Sequence, residues 1–340
     1  MEKLLSLYIE TFGEQPSCIE PLAQAGSNRQ YFRLTAPDGE TCVGVVGTNV
    51  TENRSFIYLA RHFGEKGLPV PTILAVTEDE SAYLQSDFGD RALHDILAHS
   101  RTSGVWGEAG VALLKKTMRL LPRIQVLGAE GLDETQLLPP TRFDRRATMF
   151  DLNYFKYCFL KTTDMPFDEV ALEDDFEQMA ADLVACGGER TTFLYRDFQA
   201  RNVMIADFEP NLIDFQGGRI GPLHYDVASF LWQASAGYPS ELRSSLIEEY
   251  LDALTAILPE VDRKKFRSEL QLFVFFRTLQ VLGAYGLRGY FERKPYFLNS
   301  IPAAIGNLRQ LLTEGVANNY PTLRNTLERL VALPQFQTPS

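Results

Sequence analysis

A change of hydrophobic period near Gly89 constrains this chain more than any other feature. From 17 to 86, short apolar runs alternate with turn residues: QYFRLTA at 30–36, then Pro37-Asp38-Gly39, then TCVGVVG at 41–47. Proline presets φ and glycine accepts φ > 0, so Pro-Asp-Gly between two such runs predicts a hairpin. Phe56, Leu59, Ala60 and Phe63 share one helical face and predict a helix over 52–66. Residues 72–78 and 81–86 predict a second hairpin. Beyond Gly89, helical spacing dominates at 106–128, 145–161, 168–186, 224–235, 240–257, 264–288 and 298–313. Turns and brief apolar runs interrupt it at 193–216. The expectation is an α+β chain with a β-rich N-terminal lobe at 1–86, a connector near 85–90, and a larger, mainly helical lobe at 87–340.

Composition narrows the function. A net charge of −11 argues against nucleic acid as a partner. Cys18, Cys42, Cys158 and Cys186 are scattered without C-x-x-C spacing, which predicts reduced thiols in a cytoplasmic protein. The N-terminal MEKLLSLYIETF carries Glu2 and Glu10 and reads as an amphipathic helix, not a signal peptide. No apolar run approaches the ~18–20 residues of a membrane span, so no membrane partner is expected. His224, near the start of a predicted helix, reads as a cap or core histidine.

The interruption at 193–218, FLYRDFQARNVMIADFEPNLIDFQGG, concentrates the chemistry. Asn202 leads into Val203-Met204-Ile205, and Asp214 ends Leu212-Ile213. The turn expected at Asp207 to Asn211 folds these runs into a hairpin, bringing Asn202 and Asp214 side by side with Asp197 close by. Mg²⁺ takes oxygen ligands, commonly one or two carboxylates plus phosphate oxygens, and Asp214 and Asn202 supply them. Asp197 can accept or orient the proton of an attacking hydroxyl. The trio suits phosphoryl transfer.

Tyr195-Arg196-Asp197-x-x-x-x-Asn202 resembles the H-R-D-x-x-x-x-N catalytic loop of kinases, and Asp214-Phe215-Gln216 resembles their D-F-G metal motif. With Gly221-Pro222-x-x-Tyr225-Asp226-Val227-Ala228, the segment looks most like the aminoglycoside phosphotransferase superfamily. That resemblance implies a bilobal protein-kinase-like fold, ATP and Mg²⁺ as cofactors, Asp197 as the catalytic base, Asn202 and Asp214 as metal ligands, and structural roles for Arg196 and Asp226, the latter bracing the loop. Asp87-Phe88-Gly89 also spells D-F-G, but it precedes the catalytic loop and fits the interlobe connector, where backbone groups of Gln85 to Asp87 can meet adenine.

Further blocks resemble the anomeric N-acetylmuramate and N-acetylglucosamine kinases of that superfamily. They are Gly26-Ser27-Asn28-Arg29-x-Tyr31-Phe32-Arg33, Leu138-Pro139-Pro140 with Phe143-Asp144-Arg145, and Arg277-Thr278-Leu279-Gln280-Val281-Leu282-Gly283. The resemblance implies phosphorylation of an amino sugar at its anomeric hydroxyl. Another small alcohol (an aminoglycoside, choline or a different sugar) and a regulatory pseudokinase remain as alternatives. Kinases place a Lys on the third strand to pair the α- and β-phosphates, and Thr41 to Gly47 contains none. The anomeric branch lacks it too, and Arg29 or Arg33 is the expected substitute. Ser27 and Asn28 are expected to cover phosphates, and Gln199, Arg145 and Arg277 to touch the acceptor. Glu52 reads as an N-terminal helix acid without a catalytic role. A monomer or weak homodimer is expected.

Overall fold

The computed structural model describes residues 1–22, 29–188, 191–233 and 235–337. Two compact units emerge: Met1–Thr141 with Asp197–Arg219, and Arg142–Arg196 with Ile220–Ser340. This partition differs from the expected border at 86/87. Local hydrogen bonds account for it. Ile205 N–H donates to the Arg91 carbonyl at 2.8 Å, and Leu212 N–H to the Pro69 carbonyl at 2.8 Å. Lys116 Nζ donates to the Phe208 carbonyl at 3.0 Å. The segment after Asp197 therefore joins the first unit.

In that unit, α1 (Glu2–Phe12) precedes β1 (Cys18–Pro21), β2 (Gln30–Thr35) and β3 (Thr41–Val46). Helix α2 (Val50–Glu65) then leads to β4 (Ile73–Val76) and β5 (Ala82–Ser86). The sheet order is β1-β2-β3-β5-β4, antiparallel throughout. Strand alternation divides it into two faces. Leu34, Cys42, Ala82 and Leu84 pack on Leu4, Leu7 and Tyr8 of α1. A Cβ at Gly44 would come within 2.7 Å of Leu34 and Leu4, so a glycine lets α1 approach. From the other face, Tyr83 stacks on Phe56 of α2 at 5.5 Å. Short helices α3 (Leu93–Ile96) and α4 (Ala98–Ser103) lead into α5 (Glu108–Val126).

The chemistry-bearing hairpin pairs Val203–Ala206 with Glu209–Leu212. Its turn is tighter than the sequence suggested. Asp207 and Phe208 alone connect the strands, with φ of 51° and 60°. Two consecutive positive φ values give the primed turn whose twist matches paired strands.

The second unit is helical: α6 (Arg145–Cys158), α7 (Glu169–Cys186), α8 (His224–Leu231), α9 (Ser240–Ile257), α10 (Arg263–Tyr285), α11 (Pro295–Thr313) and α12 (Pro321–Val331). Asp144, Asp168 and Asp262 cap α6, α7 and α10 through their carboxylates. Neither β1 nor α12 was expected from periodicity. In α12, Leu323, Thr326, Leu327 and Leu330 are buried behind an N-terminal proline.

Helix α10 is the centre of this unit, packed by α6, α8 and α11. Among the described residues, the helical run Arg263–Phe291 is long and apolar enough to cross a membrane, against the expectation, and 67% of its most apolar window is buried. A helix surrounded by others must be apolar on every side. His224 lies within this core, its ring 4.1 Å from that of Phe266. Burial pushes its pKa down, and Glu269 opposes the shift.

Two glycines, one in α10 and one just past its end, let this helical run touch α6. A Cβ at Gly283 would meet the Phe155 backbone nitrogen at 2.8 Å, and one at Gly286 would collide with the Cys158 carbonyl. Gly306 of α11 faces open space. Gly286→Ala should therefore destabilise by about 1–3 kcal/mol. Gly306→Ala should stabilise by about 0.5–1 kcal/mol through helix propensity. Urea unfolding followed by circular dichroism reads both.

Candidate active site

The hairpin register sets the site. Val203 pairs with Leu212, so Asn202 and Ile213 meet at the open end, where Ile213 N–H donates to the Asn202 carbonyl at 3.1 Å. Asn202 is buried. Its Nδ2 donates to the Asp197 carbonyl at 2.8 Å and to Asp214 Oδ2 at 3.3 Å. With the nitrogen so engaged, the amide oxygen is the atom left for a cation. Asp197 is exposed, as a group that meets substrate must be.

Asp214 carries φ 68°, a strained setting for a residue other than glycine. Burial raises its pKa, and the charge of Asp197 raises it further, while Gln216 and Arg29 pull it down. Its side chain still keeps 42% of its surface exposed, so water tempers the burial effect. Two carboxylates that resist simultaneous charging suit a cation. Among the described residues, no cluster of three or more His, Cys, Asp or Glu forms a self-sufficient metal cage. One carboxylate and one amide oxygen fit a metal that arrives with phosphate oxygens as its other ligands.

The structure pairs Arg29 with Glu52, a link that sequence reasoning missed. Arg29 is 2% exposed. Its Nη2 lies 3.1 Å from Glu52 Oε1 and 3.5 Å from Asp214 Oδ1, and its Nη1 lies 3.5 Å from the Tyr83 hydroxyl. The guanidinium sits over the rings of Tyr31 at 5.6 Å and Phe56 at 5.8 Å. Burial opposes its charge, but Tyr31, Tyr83, Glu52 and Asp214 together raise its pKa. Burial also pushes the Tyr31 hydroxyl up to about 12. Glu52 in the first turn of α2 is thus an ion-pair partner, not a plain dipole acid. The absence of a third-strand Lys pointed to Arg29 or Arg33 as a cation, but the pairing of Arg29 with Glu52 depends on how α2 lies across the sheet.

Arg33 has a different occupation. Its Nε lies 2.5 Å from Asp87 Oδ2, its Nη2 3.1 Å from Asp87 Oδ1, and its Nη1 2.6 Å from Asp90 Oδ1. Asp87 also accepts from Gly89 N–H at 2.8 Å. These bonds pin strand β2 to the connector. Gln85, on the sheet face that bears Tyr83, is buried, and its Oε1 has no hydrogen-bond partner among the described residues. Ser27 and Asn28 lie outside the described residues.

Phe215 positions the metal motif through packing. Its ring stacks on Phe56 at 4.9 Å and meets Phe63 edge-on at 5.5 Å. Both partners belong to α2.

In the second unit, Asp226 is fully buried and receives Tyr195 N–H at 2.8 Å and Arg196 N–H at 2.9 Å. It thereby holds Arg196 at φ 76°, one peptide bond before Asp197. Arg277 donates to the Tyr225 hydroxyl at 2.9 Å and Ser229 Oγ at 2.9 Å, and also reaches Gln280. Gln280 Nε2 donates to Asp151 Oδ2 at 2.5 Å. Arg145 is exposed and pairs with Glu177. In the first unit, the main-chain carbonyl of Gln199 accepts from Asn202 N–H at 2.8 Å.

Residues 19–263 match the phosphotransferase enzyme family, and the chain belongs to it. This makes it a phosphotransferase of mixed α+β fold, in a family that uses ATP and a divalent cation. Among curated proteins it is similar to an N-acetylmuramate/N-acetylglucosamine kinase of Pseudomonas aeruginosa, 25% identical over 96% of this chain and 92% of the relative. A protein of the same name from Neisseria meningitidis is 25% identical over 83% of this chain and 82% of the relative. Among solved structures, choline kinase from Streptococcus pneumoniae shares the fold with TM-score 0.58 and 14% identity, over 91% of this chain and 99% of that one. Amicoumacin kinase, solved with AMP-PNP and Ca²⁺, shares it with TM-score 0.57 and 13% identity, over 80% and 81%.

The Arg33 clamp has a pH signature. Burial works to raise the Asp87 pKa, but Arg33 and Gly89 outweigh it and hold the carboxyl below its ordinary value. A depressed carboxylate stabilises the fold above the unfolded pKa of about 3.9, and the benefit disappears as pH falls through the folded value. Arg33→Met should lower the urea midpoint clearly at pH 7. The deficit should shrink as pH drops below about 3.9.

Proposed function

We propose that the chain is an ATP- and Mg²⁺-dependent kinase that phosphorylates an amino sugar, N-acetylmuramate or N-acetylglucosamine, at the anomeric hydroxyl. The observation that carries this reading is the convergence of Asp197, Asn202 and Asp214 at one end of a hairpin, in a chain similar along most of its length to kinases named for those sugars. In this reading Asp197 orients the acceptor hydroxyl and takes its proton as the oxygen attacks the γ-phosphorus, while the bond from that phosphorus to the β,γ-bridging oxygen breaks and ADP leaves. Asp214 and Asn202 hold Mg²⁺, which neutralises charge on the phosphate oxygens when bound. Arg29, anchored by Glu52, supplies the fixed positive charge that a third-strand Lys supplies elsewhere. The connector backbone at Gln85 to Asp87 meets adenine. Arg277 and its neighbours contribute to acceptor binding, with Gln199 and Arg145 as further contacts. Four free cysteines support a cytoplasmic enzyme, and we read it as a monomer or weak homodimer.

A coupled ATP-consumption assay with Mg²⁺ tests this against N-acetylmuramate, N-acetylglucosamine, glucose, kanamycin and choline. The expected outcome is turnover on an N-acetylated sugar, reduced about 10²- to 10⁴-fold by Asp197→Asn. Turnover confined to choline or kanamycin would overturn the acceptor assignment. Equal rates for parent and Asp197→Asn would overturn the role of Asp197.

A further inference from the structure

Gln216 stands where most kinases carry the glycine of the metal motif, and its geometry differs from a spacer's. The side chain is 7% exposed. Its Nε2 donates to Asp214 Oδ1 at 2.8 Å and to Glu52 Oε1 at 3.3 Å. Its main-chain carbonyl accepts from Ser55 Oγ of α2 at 3.4 Å. Both side-chain partners are carboxylates and can only accept, so the amide nitrogen has to face them. That fixes the orientation of the whole carboxamide. The oxygen Oε1 then points the other way, where it is buried with no hydrogen-bond partner among the described residues.

An unsatisfied buried carbonyl is destabilising, because it gives up its water without gaining a partner. Native structures rarely leave one without cause, and a bound water or ion is a common cause. Here the orphan oxygen belongs to the same amide whose nitrogen holds Asp214, the carboxylate assigned to the cation. A divalent metal bound through one carboxylate and one amide oxygen keeps several water ligands, and each of these can donate. Outer partners of this kind orient ligands and strengthen metal binding.

We infer that Gln216 is a positioning residue for the nucleotide-bound cation. Its nitrogen fixes the Asp214 carboxylate and ties it to Glu52. Its oxygen accepts a hydrogen bond from a water carried by the metal. The inference rests on the reading of Asp214 as a metal ligand. Removing the amide should loosen the metal while leaving contacts to the nucleotide itself in place.

The test uses Gln216→Leu, of similar width but without donor or acceptor, and Gln216→Met as a second variant should leucine prevent folding. Mn²⁺ binding is followed by electron paramagnetic resonance in the presence of AMP-PNP, and AMP-PNP binding without metal by calorimetry. The expected result is a loss of Mn²⁺ affinity of about 10- to 100-fold, with metal-free AMP-PNP affinity within about twofold of the parent. Unchanged Mn²⁺ affinity in a folded variant would overturn the inference, as would equal losses with and without metal. If Asp214→Asn in the parent background also left Mn²⁺ affinity unchanged, the metal-site reading itself would fall. If Asp214→Asn weakened Mn²⁺ and both Gln216 variants did not, only the role of Gln216 would fall.

Discussion

A guanidinium with 2% exposure must be surrounded by compensating groups or the fold will not tolerate it. Arg29 meets that condition with Glu52 and Asp214, and the first unit is organised around the result. Its three participants come from the start of β2, the first turn of α2 and the end of the hairpin. Removing either carboxylate takes a counter-charge from the buried guanidinium, which is destabilising. The neighbouring apolar contacts reinforce the same geometry. Tyr83, Phe56, Phe215 and Phe63 form a continuous aromatic column from the sheet through α2 to the metal motif. Gly47 belongs to this arrangement: a Cβ there would strike Asn53 and reach 3.0 Å from Arg29.

The backbone at the candidate site is held under strain by specific bonds. Arg196 and Asp214 both lie at positive φ. Asp226 secures the first through two N–H donors, and Gln216 with Asn202 secures the second through its carboxylate. Such conformations persist only where the surroundings over-determine them, and they orient side chains that relaxed backbone would not. Phosphoryl transfer, the chemistry of the family, depends mainly on placing charges correctly, and such rigidity suits it.

Much of this was legible in the sequence. Helices and strands declared themselves through period, and the expected bounds of α9 and α10 lie within a few residues of those observed. The hairpin was readable because Asn202 and Asp214 flank two short apolar runs, which fixes their proximity once the strands pair. Arg29 with Glu52 was not readable from spacing, since that pair depends on how α2 lies across the sheet. The same holds for Arg33, whose partners Asp87 and Asp90 lie on the far side of β5 in the chain. The compact units cut across the expected border because backbone hydrogen bonds at Pro69 and Arg91 bind the hairpin, and periodicity does not register such contacts.

The account stands or falls on whether the Arg29–Glu52 pair sets the affinity for nucleotide. A double-mutant cycle with Arg29→Met, Glu52→Gln and the combination, read by calorimetric titration of AMP-PNP with Mg²⁺, measures this directly. The account predicts that Arg29→Met weakens binding by about tenfold or more, equivalent to about 1.4 kcal/mol. It also predicts that adding Glu52→Gln costs little beyond that, giving a coupling of about 1 kcal/mol or more. A folded Arg29→Met protein that binds the nucleotide as tightly as the parent would contradict it.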